Sequence, residues 1–239
     1  MCRHLGYLGP PVTLEALLAD PPCSLVRQSW APRRQRHGTV NADGFGVGWW
    51  SPLRAEPAVY RRAQPVWTDR SFASLAGVVA STAVLAAVRS ATPPSPVEES
   101  ATAPFSDGRV LLSHNGAVDP ALVRPLVPAG TPVESAVDSA LLWALVRARL
   151  DAGDALDAAL AGVVREVGAR ARGARLNLLA TDGERLVATV WGDTLSARVR
   201  GGAVVLASEP DDDGPGWEDL PDRVLVTADR AGGVACSPL

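Results

Sequence analysis

Between Asn41 and Trp50 three glycines, Gly44, Gly46 and Gly48, alternate with Phe45, Val47 and Trp49. Successive side chains of a strand point to opposite faces, so this stretch predicts a strand with one bare face and one bulky face. A bare face admits another backbone or a ligand, and the fold must place one of them against it. A dinucleotide fingerprint is excluded locally, because its last glycine should open a helix and Trp49-Trp50-Ser51-Pro52 leads into a turn instead.

The other segments fit round such a strand. Cys2 to Leu8 predicts a strand ended by Gly9-Pro10-Pro11, and Thr13 caps a short helix through Leu14, Leu17 and Leu18. Tyr60 to Trp67 predicts strand and loop, with Asp69 capping a helix through Phe72 and Leu75. Two apolar runs, Ala83 to Ser90 and Val110 to Ser113, predict buried strands that deliver polar residues at their exits: Arg89 from the first, His114-Asn115-Gly116 from the second. Helices follow, one opened by Asp119-Pro120, one capped by Ser135 and running through Leu141 and Leu145, one opened by Asp154 and running through Leu160 and Val164. The last third predicts two hairpins, turning at Asp182-Gly183 and Gly201-Gly202, and a final strand from Val224 to Thr227. Strands at both ends with helices between define an α+β domain, taken as one unit.

Composition narrows the function. With 239 residues, 47% hydrophobic and 21% charged, the chain can bury a large core, and a net charge of −3 with a pI near 5.6 argues against nucleic acid as partner. No run of eighteen apolar residues occurs, and Arg3 and His4 stand where a secretory segment would be apolar, so a cytoplasmic protein without membrane contact is expected. Three scattered cysteines and three unpaired histidines offer no metal-ligand spacing, and none of the chemistry considered calls for a cofactor. No Gly-x-Ser-x-Gly elbow supports a serine hydrolase.

The candidate chemistry begins at Met1-Cys2. Aminopeptidase trimming of Met1 would leave Cys2 with a thiol and a free α-amine, a nucleophile and a base in one residue. Otherwise Cys2 is an ordinary residue at a terminus. Asn115-Gly116 can serve as an oxyanion site, a side-chain amide beside a backbone N–H, or simply as a turn. Arg89 at the end of a buried strand suits a carboxylate, and Asp138 suits either an ammonium group or the dipole at its helix start. Together these groups match a γ-glutamyl zwitterion whose side-chain carbonyl faces Cys2. The basic loop from Ser29 to Gly38 is either solvated or a substrate contact.

Cys2-Arg3-His4-Leu5-Gly6-Tyr7, Asn41-Ala42-Asp43-Gly44-Phe45-Gly46, Val88-Arg89-Ser90-Ala91-Thr92, His114-Asn115-Gly116 and Asp138-Ser139 resemble, in order, the signatures of the class II glutamine amidotransferases. The resemblance extends over nearly the whole chain, including Trp191-Gly192-Asp193-Thr194-Leu195 and Leu206-Ala207-Ser208-Glu209-Pro210, and is nearest to the stand-alone branch of the ergothioneine pathway. It implies an amino-terminal-nucleophile hydrolase of four layers, αββα, with two stacked, mainly antiparallel sheets. It further implies that Cys2 is the nucleophile, Asn115 and Gly116 the oxyanion hole, Arg89 and Asp138 the grip on the glutamyl end, and His114 part of the pocket lining. Residues 2–239 would form a single domain with no fused synthase. The branch implies hydrolysis of the γ-glutamyl amide of γ-glutamyl-hercynylcysteine sulfoxide, and Ala101-Thr102-Ala103, where wider relatives carry Asn-x-His, agrees with it. Tryptophans such as Trp30, Trp49 and Trp50 would suit the trimethylammonium group of that substrate. Two alternatives stay open: a glutaminase subunit serving a separate synthase, and a silent binding protein with the same fold.

Overall fold

The computed structural model describes residues 2–92, 95–231 and 233–239, so the expected loss of Met1 lies outside the described residues. Strand β1 (Arg3–Thr13) leads into α1 (Leu14–Leu18) and α2 (Leu25–Gln28), then β2 (Gly44–Trp49), β3 (Ala58–Arg62), α3 (Arg70–Ala76) and β4 (Ala80–Arg89). A short β5 (Phe105–Ser106) and β6 (Leu111–Ala117) follow, then α4 (Pro120–Val123), α5 (Asp138–Asp151) and α6 (Leu156–Arg170). The remainder is β7 (Arg175–Thr181), β8 (Arg185–Val190), β9 (Ser196–Arg200), β10 (Ala203–Ala207), β11 (Trp217–Asp219), β12 (Val224–Asp229) and β13 (Val234–Pro238).

The strands form two sheets, ordered β11-β9-β10-β1-β4-β2-β3 and β13-β12-β8-β7-β6-β5. Every pairing is antiparallel. Alternation along β4 shows why its sequence reads as a continuous apolar run: Ala83 and Leu85 pack between the sheets, while Val84, Ala86 and Val88 pack outward with Leu14, Leu25 and Phe72. Likewise Leu179 of β7 faces the first sheet, and Leu176, Leu178 and Ala180 face α5 and α6 through Leu141, Leu160 and Val164. The result is the four-layer αββα sandwich. The bare face of β2 is the close approach that its glycines require: a Cβ on Gly46 would lie 2.2 Å from the Ala103 carbonyl oxygen, and one on Gly48 would lie 2.5 Å from the Leu111 side chain of the other sheet.

Several local expectations are corrected. Strand β1 does not stop at Gly9-Pro10-Pro11; it runs on to Thr13 through a register shift between Leu8 and Val12, an irregularity that spares the prolines a ladder hydrogen bond. His114, Asn115 and Gly116 lie inside β6, not beyond it, since β7 stays paired to it as far as Ala117 opposite Arg175. Ser135 does not cap α5: its hydroxyl donates to Glu98 Oε1 (2.7 Å), and the helix starts at Asp138 after Val137. Asp154 sits before the start of α6, with Ala155 at the cap, and pairs with Arg149 instead. Val224 to Thr227 is not the last strand, because β13 adds an edge beyond it.

Among the described residues, no helix is long and apolar enough to cross a membrane, and no group of three or more His, Cys, Asp or Glu is placed to hold a metal ion.

Candidate active site

Cys2 lies immediately before β1, a central strand held between β4 and β10, so a residue next to the terminus is fixed in position. The register sets Arg3 opposite Val88, which brings Arg89 at the end of β4 to the same end of the sheet. Cys2, Arg89, Gly116 and Asp138 all line one cavity of about 510 Å³, together with Ser90, Thr92, Pro96, Val118, Asp119 and Ser139. That volume suits a ligand larger than a single amino acid. Behind Cys2 lies a second hollow of about 10 Å³, lined by Ser113, His114 and Ser139 among others, room for about one water.

Arg89 is buried, 7% exposed, and its guanidinium donates to two main-chain carbonyls, Pro96 O (2.9 Å) and Asp43 O (3.5 Å). Among the described residues no ion pair forms with it; Glu98 is near enough that, after the Ser135 and Ser100 hydroxyls, Arg89 helps hold its carboxyl below the ordinary range. A buried cation whose hydrogen bonds go to main-chain carbonyls is suited to an anion entering the cavity. Asp43 secures the turn beyond it, its N–H donating to Arg89 O (2.9 Å) and its carboxylate accepting from the Ala91 N–H (2.8 Å).

Asp138, the first residue of α5, lines the same cavity as Arg89. Its Oδ2 accepts from the Val118 N–H (3.1 Å) and its Oδ1 from the Ser139 N–H (2.8 Å), with the Ser139 hydroxyl oxygen 3.3 Å away. These contacts tie the carboxylate to both β6's exit and its own helix, and leave acceptor capacity for an ammonium group.

His114 does not line the large cavity. Its Nε2 donates to Arg175 O (2.9 Å), so Nδ1 is free to accept from the Ser139 hydroxyl (3.0 Å), with Asp138 Oδ2 at 3.9 Å. The ring braces β6 against β7 and against the start of α5.

Gly116 is required by space, and its backbone is turned outward. Its register partner Leu176 directs both backbone groups toward β8, donating to Trp191 O (2.8 Å) and accepting from Thr189 Oγ1 (2.6 Å). By the alternation of an antiparallel pair, the Gly116 N–H therefore points away from β7, along the part of β6 that β5 does not reach. Asn115 is fully buried and lines neither hollow; its Nδ2 lies 3.4 Å from Ser208 Oγ, and its Oδ1 is buried without a partner.

The environment of the terminus is charged but sealed. Burial pushes the Arg3 guanidinium below its ordinary value, while Glu209, Asp193 and Cys2 pull it back. Glu209, fully buried, accepts from the Arg33 and Arg34 N–H groups (2.9 and 2.7 Å). The basic loop is largely solvated and tied to the acidic segment beside it: Arg33 pairs with Asp213, Arg34 with Asp219, and neither lines the cavity. His4 is pushed down to about 3 by burial, then by Arg3 and His114, and is a neutral ring.

The expected aromatic contacts are elsewhere. Trp30 packs edge-on against Trp67, Trp49 joins the core under α1 to α3, and Trp50 covers Gly183. No aromatic residue occurs among the described residues of the large cavity's lining. Ser139, Asp43 and Ser208 are the supporting residues that residue-type reasoning missed; each lies inside a matched motif, but serine and aspartate carry no spacing signal of their own.

A cysteine at position 2, just before a central strand of two stacked antiparallel sheets and lining a cavity with one buried cation and one anchored anion, defines a class. The chain belongs to the class II glutamine amidotransferases, whose family model matches residues 14–213. It is 52% identical over 232 residues, 97% of this chain and 94% of the relative, to the γ-glutamyl-hercynylcysteine sulfoxide hydrolase of Mycobacterium tuberculosis. It is also 52% identical over 239 residues, the whole of both chains, to the protein of that name from Mycolicibacterium smegmatis. A glutamine aminotransferase class-II domain protein from Silicibacter pomeroyi matches with a TM-score of 0.67 at 23% identity, covering 99% of each chain. The phosphoribosylpyrophosphate amidotransferase of B. subtilis matches with a TM-score of 0.71 at 17% identity, over 99% of this chain and 49% of that one. At such identities these two likenesses concern the fold alone.

Proposed function

We propose that the protein hydrolyses the γ-glutamyl amide of γ-glutamyl-hercynylcysteine sulfoxide, releasing glutamate and hercynylcysteine sulfoxide. Arg89 binds the α-carboxylate of the glutamyl group and Asp138 its α-ammonium, which leaves the γ-carbonyl before Cys2. With Met1 removed, the α-amine of Cys2 takes the thiol proton as sulfur attacks, and the oxyanion is received by the Gly116 N–H and the Asn115 amide. Collapse of the tetrahedral intermediate breaks the C–N bond, the α-amine passes its proton to the leaving amine, and a γ-glutamyl thioester remains. Water, deprotonated by the same amine, then releases glutamate and restores the thiol.

The observation that carries this reading is the cavity itself: it joins Cys2 to a buried Arg89 that forms no ion pair among the described residues, and to an anchored Asp138. Its volume exceeds what glutamine needs, which favours a substrate with a large leaving group over the glutaminase alternative. The experiment uses protein whose intact mass shows Met1 absent. Turnover of the γ-glutamyl sulfoxide should exceed that of glutamine, and Cys2→Ala should abolish it while the melting temperature is retained. A clear preference for glutamine would overturn the substrate, and activity retained by Cys2→Ala would overturn the nucleophile.

A further inference from the structure

We propose that Ser208 is a positioning residue that decides which end of the Asn115 amide faces the reacting carbonyl; the inference rests on Asn115 being an oxyanion donor, as proposed above. Ser208 follows β10, is fully buried, and is held by its backbone: its N–H donates to His4 O (2.9 Å), and Thr194 Oγ1 donates to its carbonyl (2.7 Å). Its Oγ accepts from the His4 N–H (3.0 Å) and stands 3.4 Å from the Asn115 amide.

An amide has a donating end and an accepting end, and a neighbour selects between them. With Nδ2 turned to Ser208, Asn115 Oδ1 is buried with no hydrogen-bond partner. Turned the other way, Oδ1 accepts the Ser208 hydroxyl proton, which the His4 N–H does not use, and no buried oxygen is left unmet. The Nδ2 hydrogens then occupy the opposite arm. The side chain lies between the sheets: Asn115 shares a face of β6 with Ser113, and Ser113 both meets His4 Nδ1 (3.3 Å) and lines the hollow behind Cys2. A carbonyl oxygen there would repel a developing oxyanion, whereas an NH2 group would stabilise it. A hydroxyl at position 208 can accept from His4 and donate to Asn115 at once, which an apolar side chain cannot.

The test compares wild type, Ser208→Ala, Ser208→Thr and Asn115→Ala in turnover of the γ-glutamyl sulfoxide. It also compares their binding of glutamate γ-semialdehyde, which Cys2 converts to a tetrahedral adduct, with their binding of glutamate, which it does not. Ser208→Ala should lower kcat about 10²-fold, the scale of one lost oxyanion donor, and weaken the aldehyde in parallel, with KM and glutamate binding within about twofold. Ser208→Thr, which keeps the hydroxyl, should recover most of kcat. Ser208→Cys, similar in size and a poor hydrogen-bond partner, carries the same expectation should the alanine variant fail to fold. Wild-type kcat and aldehyde affinity in Ser208→Ala, with both lost in Asn115→Ala, would overturn the inference while leaving the oxyanion assignment standing. Full activity in Asn115→Ala would overturn that assignment itself.

Discussion

A Cβ placed on Gly116 would lie 2.0 Å from the carbonyl oxygen of Arg175, and 2.5 Å from His114 Nε2, which donates to that same oxygen. The obstacle is the backbone of a paired central strand, so it cannot swing aside as a flexible side chain would. Gly116→Ala must therefore push β6 away from β7 and carry the Gly116 N–H with it. Overpacking of this kind costs about 1–3 kcal/mol, and a displaced oxyanion donor costs about 10²-fold or more in kcat. Melting temperature and single-turnover rate measured together check both parts; an alanine variant as active as wild type would remove Gly116 from the oxyanion site.

Much of this arrangement was legible in the sequence because it rests on local patterns. The glycine alternation from Gly44 to Gly48, the apolar run ending at Arg89, and the turns at Asp182-Gly183 and Gly201-Gly202 each follow from the period of a strand or the chemistry of a turn. What stayed hidden depends on long-range partners. Ser135 had the composition of a cap, but Glu98, distant in sequence, takes its hydroxyl. For His114 the resemblance implies pocket lining; its ring reaches the small hollow behind Cys2 and is held there by Arg175 O and the Ser139 hydroxyl, partners that no local pattern announces. Gly9-Pro10-Pro11 read as a stop because the register shift that accommodates it is created by β4. The four groups round the cavity are individually ambiguous in the sequence, and only the meeting of β1, β4, β6 and α5 brings Cys2, Arg89, Gly116 and Asp138 to one cavity.

Arg89 reaches Pro96 O and Asp43 O from separate nitrogens and also lines the cavity, a spread of donors that a compact ammonium does not reproduce. Arg89→Lys keeps the charge and loses the fork. Since a hydrogen bond to a charged group contributes about 1.5–3 kcal/mol, KM for γ-glutamyl substrates should rise about 10–100-fold with a smaller change in kcat. Glutamate, as a competitive product, should lose affinity by the same factor. An unchanged KM in steady-state kinetics would show that the α-carboxylate is held elsewhere.

His4 makes stability depend on pH in a definite direction. Burial first, then the neighbouring Arg3 and His114, hold its folded-state value down to about 3, whereas in an unfolded chain the ring titrates near about 6.5. Between those values the unfolded state binds more protons, so the contribution is complete above about pH 6.5 and is lost progressively as pH falls toward 3. Each pH unit inside that window removes at most about 1.4 kcal/mol. His4→Gln cannot titrate, and it gives up the ring's contact with Ser113 Oγ at 3.3 Å at every pH. The variant should be less stable than wild type near pH 7, and the gap between them should narrow as pH is lowered to about 4. Urea unfolding of both proteins across that range checks this, the difference between them cancelling the carboxylates that titrate in both. A gap that stays constant with pH would mean that His4 is not the buried neutral ring described above.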